Sequence, residues 1–389
     1  MRTITPPGLE VTDDELEALI EEARQRARRR RLGLLAITIA LGVAIAGALL
    51  LISTHDSSSE ATGGSAEAGS NSDAESLYLR AFGATPGWHR DRLARFDTAT
   101  GETKLLPISL GCGDTMFCLI PTGASIVIGS VDRTFAYEPG EGGKPRTKRI
   151  GDGWISLPSS TPGHVWTVSS GNHNRLDRTG RLAREIDLDG NVVRSVHLPQ
   201  DRWPVEAVTD GVLVQGRHTL DLFVPGRRQA VDHAPGAFPA DSIGDRVASC
   251  DEPCPQMIVT NFASGEVIRL TPPSGFRWLG GYDGEFSPDG TQLALPVTAW
   301  RAREGHQQNR FLAVADLESG SAALIPRGNE LARIYGAMTW SRSGSELFFA
   351  GDDQAIMSFD LDAGTTSELG VIPMGSNGGI IEMVAGSQD

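Results

Sequence analysis

Aromatic side chains are scarce in this chain of 389 residues, at 6%, and the 35 basic side chains are outnumbered by 49 acidic ones, for a formal net charge of −14. Binding along nucleic acid needs clustered Lys and Arg to neutralise phosphates, so nucleic acid is excluded as the main ligand. Sustained helical periodicity is missing beyond residue 75. With 46 Gly and 22 Pro the backbone is broken too often for a helical bundle or a coiled coil. There are only four Cys, the first at Cys112, so none stands behind the N-terminal apolar run to carry a lipid. Signatures of catalysis are also lacking: there is no G-x-S-x-G elbow, H-E-x-x-H, Walker loop or strand-borne G-x-G-x-x-G, and the eight His are scattered without an H-x-H pair. Asp187-Leu188-Asp189-Gly190-Asn191 resembles a calcium loop, but its Gly comes too early and no Glu stands at the twelfth position, so a hairpin turn is the better reading. No catalytic, cofactor-binding or metal-binding residue is assigned, and no cofactor is expected.

One long apolar run is present. Residues 32–52 carry no charge, and as a helix they reach about 31 Å at ~1.5 Å per residue, enough to cross a ~30 Å hydrocarbon core. A cleavable secretory signal has a shorter apolar segment, about 7–15 residues, followed by a small-x-small site that is not clearly present here, so a retained anchor is expected. Arg24, Arg26, Arg28, Arg29, Arg30 and Arg31 precede the run, whereas residues 53–75 contain no Lys or Arg. By the positive-inside rule the N-terminus is cytoplasmic, the chain crosses the cell membrane once, and the remainder is extracytoplasmic. Thr12 and Glu15 form a plausible capping box, and Leu16, Leu19, Ile20, Ala23 and Ala27 follow at helical spacing, so a helix is expected to run into the membrane. Its basic end serves topology and attraction to anionic headgroups, with docking of a cytoplasmic partner as the alternative. Residues 53–75, rich in Ser, Gly, Ala and acid, bury too little apolar surface to order themselves. The expected organisation is a cytoplasmic helical tail at 1–31, a transmembrane helix at 32–52, a flexible stalk at 53–75 and a folded domain at 76–389.

Within that last region a strand, a polar turn carrying Gly and a second strand recur seven times, at residues 93–108, 133–150, 181–198, 218–231, 257–270, 311–325 and 356–369. Successive repeats end about 43 residues apart on average, inside the ~40–45 of four-stranded propeller blades. A D-x-x-[TS]-G type turn joins the two strands, its Asp or Asn bonding the turn backbone and its Gly taking positive φ. Residues 76–82 and 380–384 alternate apolar and polar side chains and are expected to meet in the same or adjacent blades, because an open ring would leave a sheet edge unpaired.

Two repeats carry a further motif upstream: Phe286-Ser287-Pro288-Asp289-Gly290-Thr291-Gln292-Leu293-Ala294, and Trp340-Ser341-Arg342-Ser343-Gly344-Ser345-Glu346-Leu347-Phe348. These resemble the F/W-S-P-D-G-x-x-L-A motif of TolB-type and related WD-like β-propellers, although the second copy lacks the Pro and the Asp. The resemblance implies an all-β fold, a seven-bladed (six to eight) β-propeller of four-stranded antiparallel blades. It also implies architectural roles for Phe286, Ser287, Pro288, Asp289, Gly290, Trp340, Ser341 and Gly344. Outside the cytoplasm Cys112 with Cys118, and Cys250 with Cys254, are expected as two local disulfides, since the pairs fall in different blades. Zinc is the rival, but the His nearest in sequence to Cys250 and Cys254 is His233.

Trp154, Trp166, Trp278 and Trp340 read as inter-blade packing rather than as a sugar-stacking platform. His164 with Trp166, and His173 between Asn172 and Asn174, are candidates for a propeller mouth, against which turn and packing roles compete. The composite expectation is a binding or scaffold module on a membrane anchor, taking a protein, peptide or cell-envelope ligand. A propeller enzyme of lyase or lactone-hydrolase type, with its site at the central channel, is one alternative. A transmembrane regulator that relays exterior binding to a cytoplasmic partner is the other, though a 31-residue tail without Cys or His cannot bury or staple a core of its own.

Overall fold

The computed structural model describes residues 75–386 except 83–90, 111, 113–117, 123–124, 131–132, 139–144, 154, 170–180, 200–201, 281–282, 300–309, 327–336, 352–353 and 373–378. The expected tail, transmembrane helix and nearly all of the stalk lie outside the described residues, as do Trp154, Asn172, His173 and Asn174. Among the described residues no helix is long and apolar enough to cross a membrane.

Seven antiparallel sheets are arranged as blades, and the expected number is met. Blade 1 joins both ends of the folded region: β29 (Gly379–Gly386) is innermost, followed outward by β1 (Ser76–Phe82), β2 (Arg92–Asp97) and β3 (Thr103–Ser109). Blade 2 contains β4 (Leu119–Pro121), β5 (Ile126–Gly129), β6 (Thr134–Glu138) and β7 (Arg146–Gly151); blade 3 contains β8 (Ile155–Pro158), β9 (His164–Val168), β10 (Arg181–Asp187) and β11 (Val192–Leu198). Blade 4 is β12 (Pro204–Val208), β13 (Gly211–Gln215), β14 (Thr219–Phe223) and β15 (Asp232–Pro235), and blade 5 is β16 (Phe238–Ile243), β17 (Arg246–Cys250), β18 (Met257–Asn261) and β19 (Val267–Leu270). In blade 6 the inner position is split between β20 (Phe276–Trp278) and β21 (Glu285–Phe286), both paired with β22 (Gln292–Ala299), with β23 (Arg310–Asp316) and β24 (Ala322–Leu324) outside. Blade 7 is β25 (Met338–Trp340), β26 (Glu346–Ala350), β27 (Ala355–Asp360) and β28 (Thr365–Val371).

The seven repeats seen in the sequence are the outer two strands of the seven blades. In blade 4 the second of these, β15, starts at Asp232, one residue beyond the expected end of the repeat. The inner strands pack in the cyclic order β29, β4, β8, β12, β16, β21, β25 and back to β29, which closes the ring. Both expected closing strands are present. Leu77 faces Ala385 and Leu79 faces Met383 in one antiparallel register, so the two ends complete a single blade.

Each sheet is covered on both faces, so its second strand is apolar almost without alternation, as in β5 (IVIG) and β13 (GVLVQ). The buried apolar residues accordingly separate into seven clusters, one at each junction between blades. Trp166 lies in the cluster joining blades 3 and 4, Trp278 in that of blades 5 and 6, and Trp340 in that of blades 6 and 7, as packing residues. The large apolar side chains left exposed, among them Leu105, Val193, Val267, Leu324 and Val371, are dispersed over the outermost strands of different blades.

The hairpin turns behave as their chemistry requires. Asp97 Oδ1 accepts from the backbone N–H groups of Ala99 and Thr100, and Gly101 follows at φ +70°. A Cβ on Gly101 would lie 2.7 Å from the carbonyl oxygen of Leu369 in β28, so the turn also fits closely against blade 7. The former calcium-loop candidate is a turn of the same kind, with Asp187 Oδ1 accepting from the N–H groups of Asp189 and Asn191.

Strand alternation sends these turns, and those between the two inner strands, to one face of the ring. The remaining connections among the described residues belong to the opposite face. Ser76 and Gly386, paired at the ends of β1 and β29, lie on the turn face. Cys112 and Cys118, between β3 and β4, and Cys250 and Cys254, between β17 and β18, belong to the opposite face.

Candidate binding site in the central channel

The inner strands carry few polar side chains, and four of those are carboxylic acids. Glu206 stands in β12, Asp241 in β16, Glu285 in β21 and Glu382 in β29, in strands that are otherwise mostly apolar, Ser242 beside Asp241 excepted. Thr339 occupies the position in β25 that corresponds to Glu285, one residue before the motif aromatic. Glu206 is 1% exposed, whereas Asp241, Glu285 and Glu382 retain partial solvent access, as side chains on the wall of a channel do.

Every one of these acids reaches the inner strand of the next blade. Ser242 Oγ of blade 5 donates to Glu206 Oε2 of blade 4 at 2.9 Å, and the Phe286 N–H of blade 6 donates to Asp241 Oδ2 of blade 5 at 2.6 Å. Thr339 Oγ1 of blade 7 approaches Glu285 Oε1 of blade 6 at 3.5 Å, at the outer limit of a hydrogen bond. The N–H groups of Leu119 and Cys118 in blade 2 donate to Glu382 Oε1 of blade 1 at 2.8 and 3.0 Å.

Taking these groups out of water raises their pKa values. Burial pushes Glu206 well above the carboxylate range, and the neighbouring Asp241 charge adds to it. Glu285 is likewise raised by burial first, then by Asp241, Glu206 and Glu382. Burial lifts Asp241 to about 7 against the bond from Phe286, and lifts Glu382 to about 7 against the Leu119 N–H and the Arg80 guanidinium. Asp283, just before β21, is also raised by burial, with Arg310 opposing. The described inner strands carry no His, and no three His, Cys, Asp or Glu side chains among the described residues are placed to hold a metal ion. The channel wall can therefore accept hydrogen bonds, exchange protons near neutrality and attract a cation or an amine.

Another buried carboxylate lies away from the channel. Glu185 in β10 is 1% exposed and is held by Ser159 and Arg194, with His164 Nδ1 3.6 Å away. Burial opposes its ionisation, but the bonds from Arg194 and Ser159 outweigh that and keep its carboxyl below the usual range. Arg194 lies over the Trp166 ring, 5.2 Å from its centroid, and donates to the Thr209 carbonyl of blade 4. His164 and Trp166 are thus part of a blade junction and not of a channel mouth.

The motif residues expected to be architectural build turns. Ser287 Oγ accepts from the Gln292 N–H at 2.9 Å, and Ser341 Oγ accepts from the Glu346 N–H at 3.0 Å, the same bond in both copies. Asp289 Oδ1 ties Ser287 Oγ to the Thr291 N–H, and Gly290 and Gly344 have φ of +67° and +75°. Phe286 and Trp340 are buried at blade junctions, and Pro288 lies beside Gly344 of the neighbouring blade. Cys112 and Cys118 have Cα atoms 5.6 Å apart, and Cys250 and Cys254 5.4 Å, both at disulfide distance. Arg28, Arg29, Arg30 and Arg31 lie outside the described residues. The channel acids were not singled out in the sequence; the usable signal is a lone carboxylate in an apolar strand, as in PVEAV.

No family model matches the chain, and no curated protein matches it. Among solved structures it is similar to a candidate 6-phosphogluconolactonase from Bacteroides fragilis, at 14% identity over 81% of this chain and 99% of that one, with a TM-score of 0.49. It is also similar to TolB from Acinetobacter baumannii, at 15% identity over 81% of this chain and 67% of that one, with a TM-score of 0.48. AztD from Citrobacter koseri is matched at 13% identity over 80% of this chain and 98% of that one, with a TM-score of 0.46. Likenesses at this level carry no argument about function, and the propeller rests on the seven sheets themselves.

Proposed function

We propose that this chain is a single-pass membrane protein whose extracytoplasmic propeller is a binding or scaffold module, and that its partner is a protein, peptide or cell-envelope ligand presenting a basic group to the channel. Asp241, Glu285 and Glu382 on the inner strands carry this reading, because partly solvated acids in a confined channel focus their field on a cation. The anchor is supported by the uncharged run at 32–52 and the arginines before it. Crosslinking in intact membranes should capture the same partner with the wild-type chain and lose it with Asp241→Asn combined with Glu285→Gln. Retention of the partner by that variant would remove the channel from the interface. A reporter fused after residue 389 should be active only outside the cytoplasm, and cytoplasmic activity would reverse the topology.

A propeller enzyme acting at the same channel is the second reading. Its support is the pair Asp241 and Glu382, both lifted to about 7, which suits proton transfer at neutral pH.

A further inference from the structure

Trp203 is 38% exposed, whereas Trp166, Trp278 and Trp340 are buried at blade junctions. It stands in the connection between β11 and β12, so it opens the inner strand of blade 4 on the face opposite the hairpin turns. An indole left in water is unfavourable unless something covers it, and Trp203 belongs to neither of the apolar clusters that flank blade 4. It is nevertheless held in place. Its carbonyl accepts from the Gln215 N–H at 2.8 Å, and the Arg181 guanidinium lies over its ring, 5.6 Å from the centroid. Arg181 stands opposite Leu198, the last residue of β11, and donates from Nη1 to the Arg202 carbonyl at 3.0 Å. Arg202 is paired with Asp221, which also takes the Thr219 hydroxyl. The Asp221 side chain is 17% exposed and that of Arg202 41%, so the cation rather than its partner faces solvent. Arg217, exposed in the connection between β13 and β14, adds a further positive charge to the same face of a chain whose net charge is −14.

We propose that Trp203, Arg181 and Arg202 form a docking platform for a carboxylate-bearing saccharide. A pyranose ring presents C–H bonds that pack on the electron-rich face of an indole while its hydroxyls stay in water. Arg181 covers one face of the ring, which leaves the other for the sugar. Guanidinium groups beside the indole then take the carboxylate through paired N–H bonds, which their planar fork matches and an ammonium cannot reproduce. A peptide anchored by an apolar side chain would need a pocket, but the neighbours fixed around Trp203 are Arg181, Arg202 and Gln215, all polar at their tips. The platform uses none of the channel acids and does not depend on the membrane anchor, so it goes beyond the reading above.

The test is calorimetric titration of the full-length protein in detergent with tetragalacturonic acid, its methyl ester and tetraglutamate. The acidic saccharide should bind, the neutral ester about tenfold more weakly or not at all, and tetraglutamate not detectably. Trp203→Ala should weaken binding about tenfold or more, and Arg181→Lys severalfold, because the fork is lost while the charge stays. Asp241→Asn combined with Glu285→Gln should bind the saccharide as the wild type does, which keeps a failure of the channel reading distinct from a failure of this one. Loss of binding in that variant would place the saccharide in the channel and overturn the platform. No binding of the acidic saccharide, equal binding of the ester or of tetraglutamate, or unchanged affinity in either single substitution would overturn it as well. Should Trp203→Ala fail to fold, hydroxyl-radical footprinting of the wild type decides: the saccharide should shield Trp203 from oxidation, and an unshielded Trp203 at saturating saccharide would overturn the platform.

Discussion

The indole N–H of Trp340 donates to the backbone carbonyl of Glu285 at 2.9 Å, across the junction of blades 7 and 6. The aromatic of one motif copy thereby fixes the strand end that carries a channel carboxylate just before the other copy's aromatic.

Trp340→Phe keeps most of the apolar burial and loses that bond. It should cost about 1 kcal/mol in denaturant unfolding, against roughly 3–5 kcal/mol for Trp340→Ala. A Phe variant as stable as wild type would mean that packing alone joins these blades.

Two hairpin glycines separate strain from steric fit. Gly364 has φ +63° with open space where a Cβ would go, whereas Gly101 has φ +70° with the Leu369 carbonyl in the way. Gly364→Ala should cost roughly 1–2 kcal/mol from the left-handed backbone alone. Gly101→Ala should cost clearly more, because blade 7 must also yield. Equal losses in melting temperature would refute the inter-blade contact at Gly101.

Deleting residues 371–389 removes β29 and strips the inner edge of blade 1, exposing Leu77 and Leu79, which are fully buried. The propeller should then lose its cooperative transition or melt far below wild type. Melting at the wild-type temperature would place ring closure elsewhere.

Non-reducing peptide mapping of the protein should find Cys112 linked to Cys118 and Cys250 linked to Cys254. Each bridge closes a loop of fewer than ten residues, so removing one should cost less than the ~3 kcal/mol of a 15-residue loop and leave the domain folded. Free thiols at all four positions would contradict the pairing.

Acid should act on Glu185 in the opposite sense to the channel. Its pKa is lower folded than unfolded, so its contribution is complete above the usual Glu value and is lost as the pH falls through the folded one. Glu185→Gln should therefore be less stable than wild type at pH 7 and flatten the acid side of the stability profile. An unchanged slope below pH 5 would show that Arg194 and Ser159 do not hold the ionised form.

The blade number, the outer hairpins and the two closing strands were legible because they depend on local chemistry. An Asp at 97, a Gly at 101 and the apolar strands around them specify a hairpin wherever they occur, and seven such units at a steady spacing leave few folds to consider. Trp166, Trp278 and Trp340 were legible as packing for the same reason, since large apolar side chains between strands must be covered. The lone acid in PVEAV set Glu206 apart from Glu266, which is exposed beside a hairpin turn, but nothing local showed that Glu206 would be nearly inaccessible or which groups it would meet. Only the closed ring brings positions 206, 241, 285 and 382 into one channel, and only there do their charges act on one another. The side of a strand on which a residue stands is set by alternation along the sequence, but what it meets on that side, and hence its protonation, is set by the blades that close around it.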